Sequence, residues 1–205
     1  MLLQRIQQQF IDSADLKYQC AQSLAPVVEA ATHAVLASVT GGGKVLSCGN
    51  GASAAAAQQF AASFVGRYER ERPELAAFSL TADTAVLTAI ANDFDARAIY
   101  ARQVRALGHA GDVLLVLSTT GNSANVMAAV EAAHERDMSV VALTGARGGR
   151  LGQMLRDTDV HICVPHDTPA RILEVHHMVL HCICDGVDAQ LLGLPDTPTN
   201  DTENT

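Results

Sequence analysis

The sequence predicts an α/β fold in which helices cover both faces of a parallel sheet. Short segments that are apolar throughout alternate with helical segments along most of the 205 residues, and such strands are typical of parallel sheets buried on both faces. Hydrophobic residues make up 48% of the chain but aromatic residues only 4%. Ala, Val and Leu must therefore fill the core, which suits close helix–sheet contacts better than an aromatic-rich β-sandwich.

The first elements follow one another without long linkers. Residues 3–39 show helical spacing of apolar side chains and predict one or two long helices, which the glycines at 41–43 end. Residues 44–48 predict a strand that leads directly into the glycine-containing loop 49–53. We expect an alanine-rich helix at 54–65, so that strand, loop and helix form one unit.

The same order of strand, loop and helix returns further along the chain. Residues 112–117, apolar after Asp112, predict a strand that leads into the hydroxyl-rich loop 118–123. Residues 124–136 place apolar side chains on one helical face. The remaining predicted elements are strands at 76–80, 139–143 and 160–164, an apolar helix at 85–90 and a long last helix at 168–192.

The length of the chain suits one domain, because typical domains have roughly 100–200 residues. We expect residues 1–192 to form it, with residues 1–40 as an N-terminal helical region. Residues 193–205 contain Pro, Asp, Asn and Thr with almost no apolar side chain. That composition predicts a disordered polar tail.

Composition and charge indicate a cytoplasmic protein. Five cysteines, an odd number, lie within apolar stretches, as reduced thiols do. The N-terminal segment lacks the apolar centre of a signal peptide, and no apolar run approaches the roughly 18 residues of a membrane span. The net charge of −8 argues against a general nucleic-acid surface. We therefore expect neither a membrane nor a nucleic acid as a direct partner.

Two of the loops carry the residues expected to bind a ligand. In an open α/β sheet, ligands bind beyond the carboxyl ends of the strands, where helix N-termini attract anions. The alternative is that the hydroxyl groups only cap the helices, although one cap needs one hydroxyl. Loop 118–123 supplies four hydroxyls, so we favour a phosphate site. Its residues are Asn50, Gly51, Ser53, Ser118, Thr119, Thr120 and Ser123.

Further polar residues occur at the end of one helix and along another. Asn92 and Asp93 follow the apolar helix and either reach the ligand or form a simple turn. On the last helix a stripe of polar side chains recurs at steps of three and four residues. The stripe either holds a metal or faces solvent or another subunit; without an identified third ligand we predict no metal and no cofactor. Its members are Glu174, His177, His181 and Asp185.

Several segments follow one another in an order typical of a known family, over most of residues 1–192. They are Cys48-Gly49-Asn50-Gly51, Ile90-Ala91-Asn92-Asp93, Arg105-Ala106-Leu107-Gly108, Gly111-Asp112-Val113-Leu114-Leu115, Ser118-Thr119-Thr120-Gly121-Asn122-Ser123, Ala142-Leu143-Thr144-Gly145 and Ala170-Arg171-Ile172. These segments resemble the sugar-isomerase (SIS) proteins, in particular the group that contains the phosphoheptose isomerases and DiaA, which associates with the replication initiator DnaA. The resemblance implies a flavodoxin-like three-layer α/β/α sandwich with a five-stranded parallel sheet, a homotetramer, and a phosphosugar held by the serines and threonines named above.

The same resemblance implies that the residues for catalysis are largely lost. The isomerases carry a His and a Glu, four residues apart, after the first loop, and a Gln and a His on the last helix; these four can hold zinc. Here Gln59, Ser63 and Leu173 stand at the first three positions, and His181 keeps the fourth. Without a base for proton transfer, we expect no catalytic residue and no zinc.

The predicted function is therefore that of a non-catalytic phosphosugar-binding protein, a DiaA-like homotetramer that binds DnaA and regulates the initiation of chromosomal replication. Leu191 and Leu192 lie where DiaA grips DnaA, although they could simply seal the helix end. The alternative is a phosphoheptose isomerase that converts sedoheptulose 7-phosphate for lipopolysaccharide synthesis. It would draw its acid and base from Asp93, Glu174, His177 or His181. A third hypothesis is a sugar-phosphate sensor without any role at DnaA.

Overall fold

A computed structural model describes residues 1–193. Seven α-helices and five strands make up this part of the chain, joined by two short 3₁₀ turns at 96–98 and 146–148. In chain order they are α1 (Leu2–Thr40), β1 (Val45–Gly49), α2 (Ala52–Val65), β2 (Ala77–Ser79), α3 (Thr84–Asp93), α4 (Ile99–Leu107), β3 (Val113–Ser118), α5 (Ala124–Glu135), β4 (Ser139–Thr144), α6 (Gly149–Met154), β5 (Val160–Cys163) and α7 (Pro169–Leu192).

The five strands form one sheet in the order β2-β1-β3-β4-β5, and every pair is parallel. Side chains of β3 alternate between two cores: Leu115 and Leu117 pack against α1, α2 and α7, whereas Leu114 and Val116 pack against α4 and α5. Helices thus cover both faces, as the wholly apolar strands require. The predicted parallel sheet and α/β class are confirmed.

Helix α1 is continuous over 39 residues although it contains Pro26. Its second half buries Leu24, Ala31 and Val35 against the sheet and α7, whereas the side chains of its first turns are exposed. By length and composition α1 could cross a membrane, which the sequence analysis did not expect. Core helices pass the same test, so it does not assign α1 to a membrane.

Two helices were not predicted. Helix α4 buries Tyr100, Ala101 and Val104, but Arg and Gln side chains interrupt its apolar pattern. The short α6 follows a turn of glycines and arginines and buries only Leu151. The predicted tail at 193–205 lies outside the described residues except for Gly193, which ends α7 in the left-handed conformation.

Candidate functional site

The candidate site lies at the carboxyl edge of the sheet between β1 and β3. The chain leaves β1 towards β2 on one side and later continues through β3 on the other, so this is the point where the strand order reverses. Ligands of open α/β sheets bind at such a point. Gly49 pairs with Leu117 in the register of the two strands. Residues 49–53 (loop A) and 118–123 (loop B) are therefore neighbours.

Loop A presents backbone N–H groups at the start of α2. Gly51 is the N-cap residue and has φ +57°, a conformation that favours glycine. The amide of Ser53 donates to the Asn50 carbonyl at 3.0 Å, and the Ser53 side chain is nearly buried. Loop A thus offers a ligand the backbone N–H groups at the start of α2 and one side-chain hydroxyl, that of Ser53.

Loop B brings two serine hydroxyls together. Ser118, the last residue of β3, has its Oγ 3.2 Å from the Oγ of Ser123. Ser123 is the N-cap residue of α5 but its side chain makes no capping hydrogen bond. The Thr120 hydroxyl accepts from the Asn122 amide at 3.2 Å, and Thr119 is half-exposed. The serine hydroxyls of loop B are therefore not used as helix caps, contrary to the alternative considered from sequence.

The turn after β4 packs directly on loop B. The Thr119 carbonyl accepts from the Gly145 amide at 3.1 Å, and the Gly121 carbonyl accepts from the Leu151 amide at 2.8 Å. Gly121 has φ +64°, and a β-carbon placed there would lie 1.9 Å from the Gly148 carbonyl oxygen. Two backbone segments thus lie in contact, and only glycine fits between them.

The two loops are also joined on their other side, where the predicted residue Asn50 meets Asn125 and Tyr100, which were not predicted. Asn50 and Asn125 exchange two side-chain hydrogen bonds, each 2.8 Å long. The buried Tyr100 hydroxyl donates to the Gly49 carbonyl at 2.6 Å. The only signal in the sequence was the position of Asn125 directly after the loop, and Tyr100 lies in the unpredicted α4.

Asn92 and Asp93 are the last two residues of α3, not a turn after it. Their side chains are exposed, and Asn92 Nδ2 donates to Asp93 Oδ1 at 2.8 Å. Among the hydrogen bonds of the described residues, none joins this pair to loop A or loop B. Their expected part in ligand binding remains a prediction.

The polar stripe of α7 is divided between two environments. Glu174 accepts from Ser13 of α1 at 2.6 Å and pairs with Arg171. His181 instead faces α2, where its Nε2 lies 3.4 Å from Gln59 Nε2. The four members of the stripe therefore do not form one site.

His181 shares its surroundings with the two substituted positions of α2. Ser63 donates its hydroxyl to the Gln59 carbonyl within that helix at 3.1 Å, and the Tyr68 ring centroid lies 5.5 Å from that of His181. His177 Nδ1 lies 2.9 Å from the Leu173 carbonyl of its own helix. Within residues 1–193 no three His, Cys, Asp or Glu side chains are placed to hold a metal, so these residues do not fit the zinc of the isomerases.

His176 lies on the opposite side of α7 from this cluster and is fully buried. Its Nε2 lies 3.0 Å from the Thr144 carbonyl at the end of β4. Burial lowers the pKa of His176 to about 4, so the ring is neutral near pH 7. His176 thus joins α7 to the end of β4 and holds a structural position.

Comparisons with known proteins agree with this architecture. The family model described as SIS domain matches residues 9–145. This chain is 62% identical to the phosphoheptose isomerase of Methylibium petroleiphilum, over 96% of this chain and 98% of the relative. It is 55% identical to the phosphoheptose isomerase of Azoarcus sp., over 95% of this chain and 99% of that relative. The structure of phosphoheptose isomerase GmhA from Neisseria gonorrhoeae aligns with TM-score 0.88 at 48% identity, covering 92% of this chain and all of the other.

These relatives correct the function predicted from sequence. The prediction of a non-catalytic, DiaA-like regulator that binds DnaA is wrong, because high-identity relatives and solved structures alike are named phosphoheptose isomerase. The DnaA contact assigned to Leu191 and Leu192 has no support. Both leucines are about two-fifths exposed, at 38% and 39%, on the last turn of α7. Three substituted positions do not outweigh similarity over almost the entire chain.

Proposed function

Because this chain belongs to the SIS domain family, we propose that it is a phosphoheptose isomerase that binds a sugar phosphate at the β1/β3 edge. The reaction converts sedoheptulose 7-phosphate to D-glycero-D-manno-heptose 7-phosphate, a precursor of lipopolysaccharide. The proposal includes a cytoplasmic location, with which the five free cysteines agree. It also includes a single domain formed by residues 1–192.

The observation that carries the proposal is the pair of serine hydroxyls in loop B. The Oγ atoms of Ser118 and Ser123 lie 3.2 Å apart, where the N-terminus of α5 meets that of α2. Neither hydroxyl makes a helix-capping hydrogen bond. A phosphate dianion accepts several short hydrogen bonds from such groups, and the helix dipoles add to the attraction. No lysine or arginine lies within loop A or loop B, so hydroxyls and backbone amides would bind the phosphate.

The position of His181 suits the other end of the substrate. Gln59, which His181 contacts, follows Ser53 by six residues along α2, a rise of about 9 Å. An extended seven-carbon sugar phosphate spans a comparable distance from its phosphate to its carbonyl carbon. Isomerisation takes a proton from one of two adjacent carbons and returns it to the other, through an enediol-like intermediate. We assign His181 to this proton transfer.

Of the other groups considered for acid or base, Glu174 is already bonded to Ser13 and Arg171. Asp93 accepts from Asn92, and no hydrogen bond of the described residues joins it to loop A or loop B. His177 uses only Nδ1 for the carbonyl of Leu173, which leaves Nε2 available, and its side chain lines the same small pocket as Gln59, Ser63 and His181. We therefore propose His177 as the second group in proton transfer, with Asn50, Gly51, Ser53, Asn92, Asp93, Thr119 and Thr120 completing the binding site.

Turnover of sedoheptulose 7-phosphate by the pure protein is the direct test. We expect Ser118→Ala to weaken binding about tenfold or more, because a hydrogen bond to a charged group contributes about 1.5–3 kcal/mol. His181→Gln should lower kcat about 10²–10⁴-fold with little change in the dissociation constant. His109→Gln, an exposed histidine on the loop before β3, is the matched control. Saturable binding without turnover in the wild type would contradict the proposed reaction and leave a binding protein.

Exposed apolar side chains along α1 and α7 support the homotetramer that the family resemblance implies. Between the two helices lies an apolar groove of about 410 Å³, lined by residues that include Leu24, Val28, Val179 and Met178. Phe10 and Met178 are 75% and 46% exposed. Contiguous apolar surface of this kind is typical of protein–protein interfaces, and we propose that another copy of this chain covers it.

A charge in this groove should prevent assembly. We expect sedimentation equilibrium to give four times the chain mass of 21.6 kDa for the wild type and a smaller species for Met178→Glu, since burying an unpaired carboxylate is unfavourable. Gln153→Glu, on the exposed side of α6, is the control and should remain tetrameric. A Met178→Glu variant that stays tetrameric would place the interface elsewhere.

A further inference from the structure

Loops A and B are tied together by an amide pair between residues that lie far apart in the chain. Asn50 Nδ2 donates to Asn125 Oδ1, and Asn125 Nδ2 donates to Asn50 Oδ1, both at 2.8 Å across 75 residues. Asn50 belongs to loop A, and Asn125 is the second residue of α5, directly after loop B. The pair therefore connects the two strand–loop–helix units at the point where their loops face the ligand.

Neighbouring groups fix the orientation of both amides. Asn125 Oδ1 also accepts from the Val126 amide at 3.0 Å, so this atom must be the oxygen. The Asn50 atom 2.8 Å from this oxygen must therefore be the donor Nδ2, and the other Asn50 amide atom is the oxygen that accepts from Asn125 Nδ2. Neither side chain can flip without losing hydrogen bonds. The Tyr100 hydroxyl donates to the Gly49 carbonyl at 2.6 Å and lies 3.2 Å from Asn50 Oδ1.

Tyr100 anchors this arrangement in the core. The ring is only 3% exposed and packs with the side chains between α4, α5 and the sheet. Burial raises the pKa of Tyr100 to about 12, so the hydroxyl remains a donor at any physiological pH. No residue larger than glycine fits at position 49, since a β-carbon there would lie 2.7 Å from the β-carbon of Ser53.

We infer that Asn125 and Tyr100 are positioning residues that hold loop A and loop B at a fixed separation, so that Ser53 of one and Ser118 of the other meet the same phosphate. The inference rests on the proposed sugar-phosphate site but not on turnover there. Preorganised donors bind an anion without the cost of ordering the loops at that moment. Neither residue touches the reacting carbons; both act through Asn50 and the backbone of loop A.

Two variants and their double combination test this role. Tyr100→Phe removes only the hydroxyl, and Asn125→Ala removes both bonds to Asn50. The matched controls are Tyr18→Phe, on an exposed ring, and Gln8→Ala, which removes the amide that bonds Asp12 on the surface of α1. Two probes, sedoheptulose 7-phosphate and inorganic phosphate, are titrated calorimetrically, and amide hydrogen exchange is followed in the ligand-free proteins.

We expect each test variant to raise both dissociation constants about five- to tenfold, as the loss of one or two hydrogen bonds predicts. Exchange should accelerate in residues 49–53 and 118–123 while β3 and α7 keep wild-type rates. The two effects in the double variant should be less than additive, because both substitutions release the same loop. The controls should match the wild type.

The outcomes separate this inference from the proposed reaction. If the wild type binds but does not turn over sedoheptulose 7-phosphate, while the variants show weaker binding and faster loop exchange, the reaction is wrong and the positioning role stands. If the enzyme turns over but the variants match their controls in affinity and loop exchange, the positioning role is overturned. Faster exchange in all segments together would also overturn it, since it would mark a general loss of stability.

Discussion

Alanine at position 121 is expected to lower the free energy of unfolding by about 2–5 kcal/mol, from overpacking and from the left-handed backbone together. The added β-carbon would lie 1.9 Å from the Gly148 carbonyl oxygen and 2.5 Å from its carbon. Both are backbone atoms, so no side-chain rotation can relieve the contact. Loop B and the turn after β4 must then separate, which also displaces Ser118 and Ser123.

Gly42→Ala is the matched control for this effect. Gly42 has φ +83°, yet a β-carbon there would meet nothing within 4 Å, so only the conformational cost of about 1 kcal/mol is expected. Urea unfolding of both variants measures the difference, and titration with sedoheptulose 7-phosphate measures the site. Equal losses of stability in the two variants would show that the turn after β4 moves away from the added β-carbon at little cost in free energy. An unchanged affinity in Gly121→Ala would show that loop B does not take part in phosphate binding.

Much of the fold could be predicted because its causes are local. Strands such as 113–118 are apolar at every position, and that pattern has few solutions other than a parallel sheet covered on both faces. Loops A and B could be placed for a similar reason, since each follows such a strand directly and precedes a helix. The ends of the predicted elements differ from the observed ends by at most three residues, for example at Asp93, which belongs to α3.

The residues that were missed, Asn125 and Tyr100, act through long-range contacts with loop A. Asn50 and Asn125 are 75 residues apart, and nothing in the neighbourhood of either residue indicates the other. Helix α4 escaped prediction because Arg102 and Gln103 stand beside its buried Tyr100 and Val104. Such pairings depend on how units pack together, and a single sequence carries no local pattern for them.

The predicted function failed for a different reason. Gln59, Ser63 and Leu173 each replace a residue expected of the isomerases. Such replacements predict a loss of catalysis only if the chemistry can use no other set of side chains. Relatives that share 62% and 55% of their residues across nearly the whole chain carry the isomerase name. His181, which remains beside Gln59, is then the residue on which the proposed chemistry depends.

Breaking the buried ion pair between Arg72 and Asp188 is expected to cost about 3–5 kcal/mol, because one charge is then left buried and unpaired. Arg72 Nε donates to Asp188 Oδ1 at 2.6 Å, and both side chains are at most 4% exposed. The same guanidinium donates to the carbonyls of Ser63 and Phe64 at the end of α2. The pair therefore joins α7 to α2, the helix that carries Gln59. Asp188→Ala should weaken the packing of these two helices against each other.

A double variant distinguishes the charge effect from the lost contacts. Replacing Arg72 by Met and Asp188 by Leu together removes both charges. The loss of unfolding free energy in this double variant should be smaller, by about 2 kcal/mol or more, than the summed losses of Arg72→Met alone and Asp188→Leu alone. Some loss must remain, since the carbonyls of Ser63 and Phe64 lose their donor. Glu135→Ala is the control, because its bonds to Arg105 lie at the surface and should not change the urea midpoint measurably. A fully additive double variant would show that the two charges stabilise the fold independently.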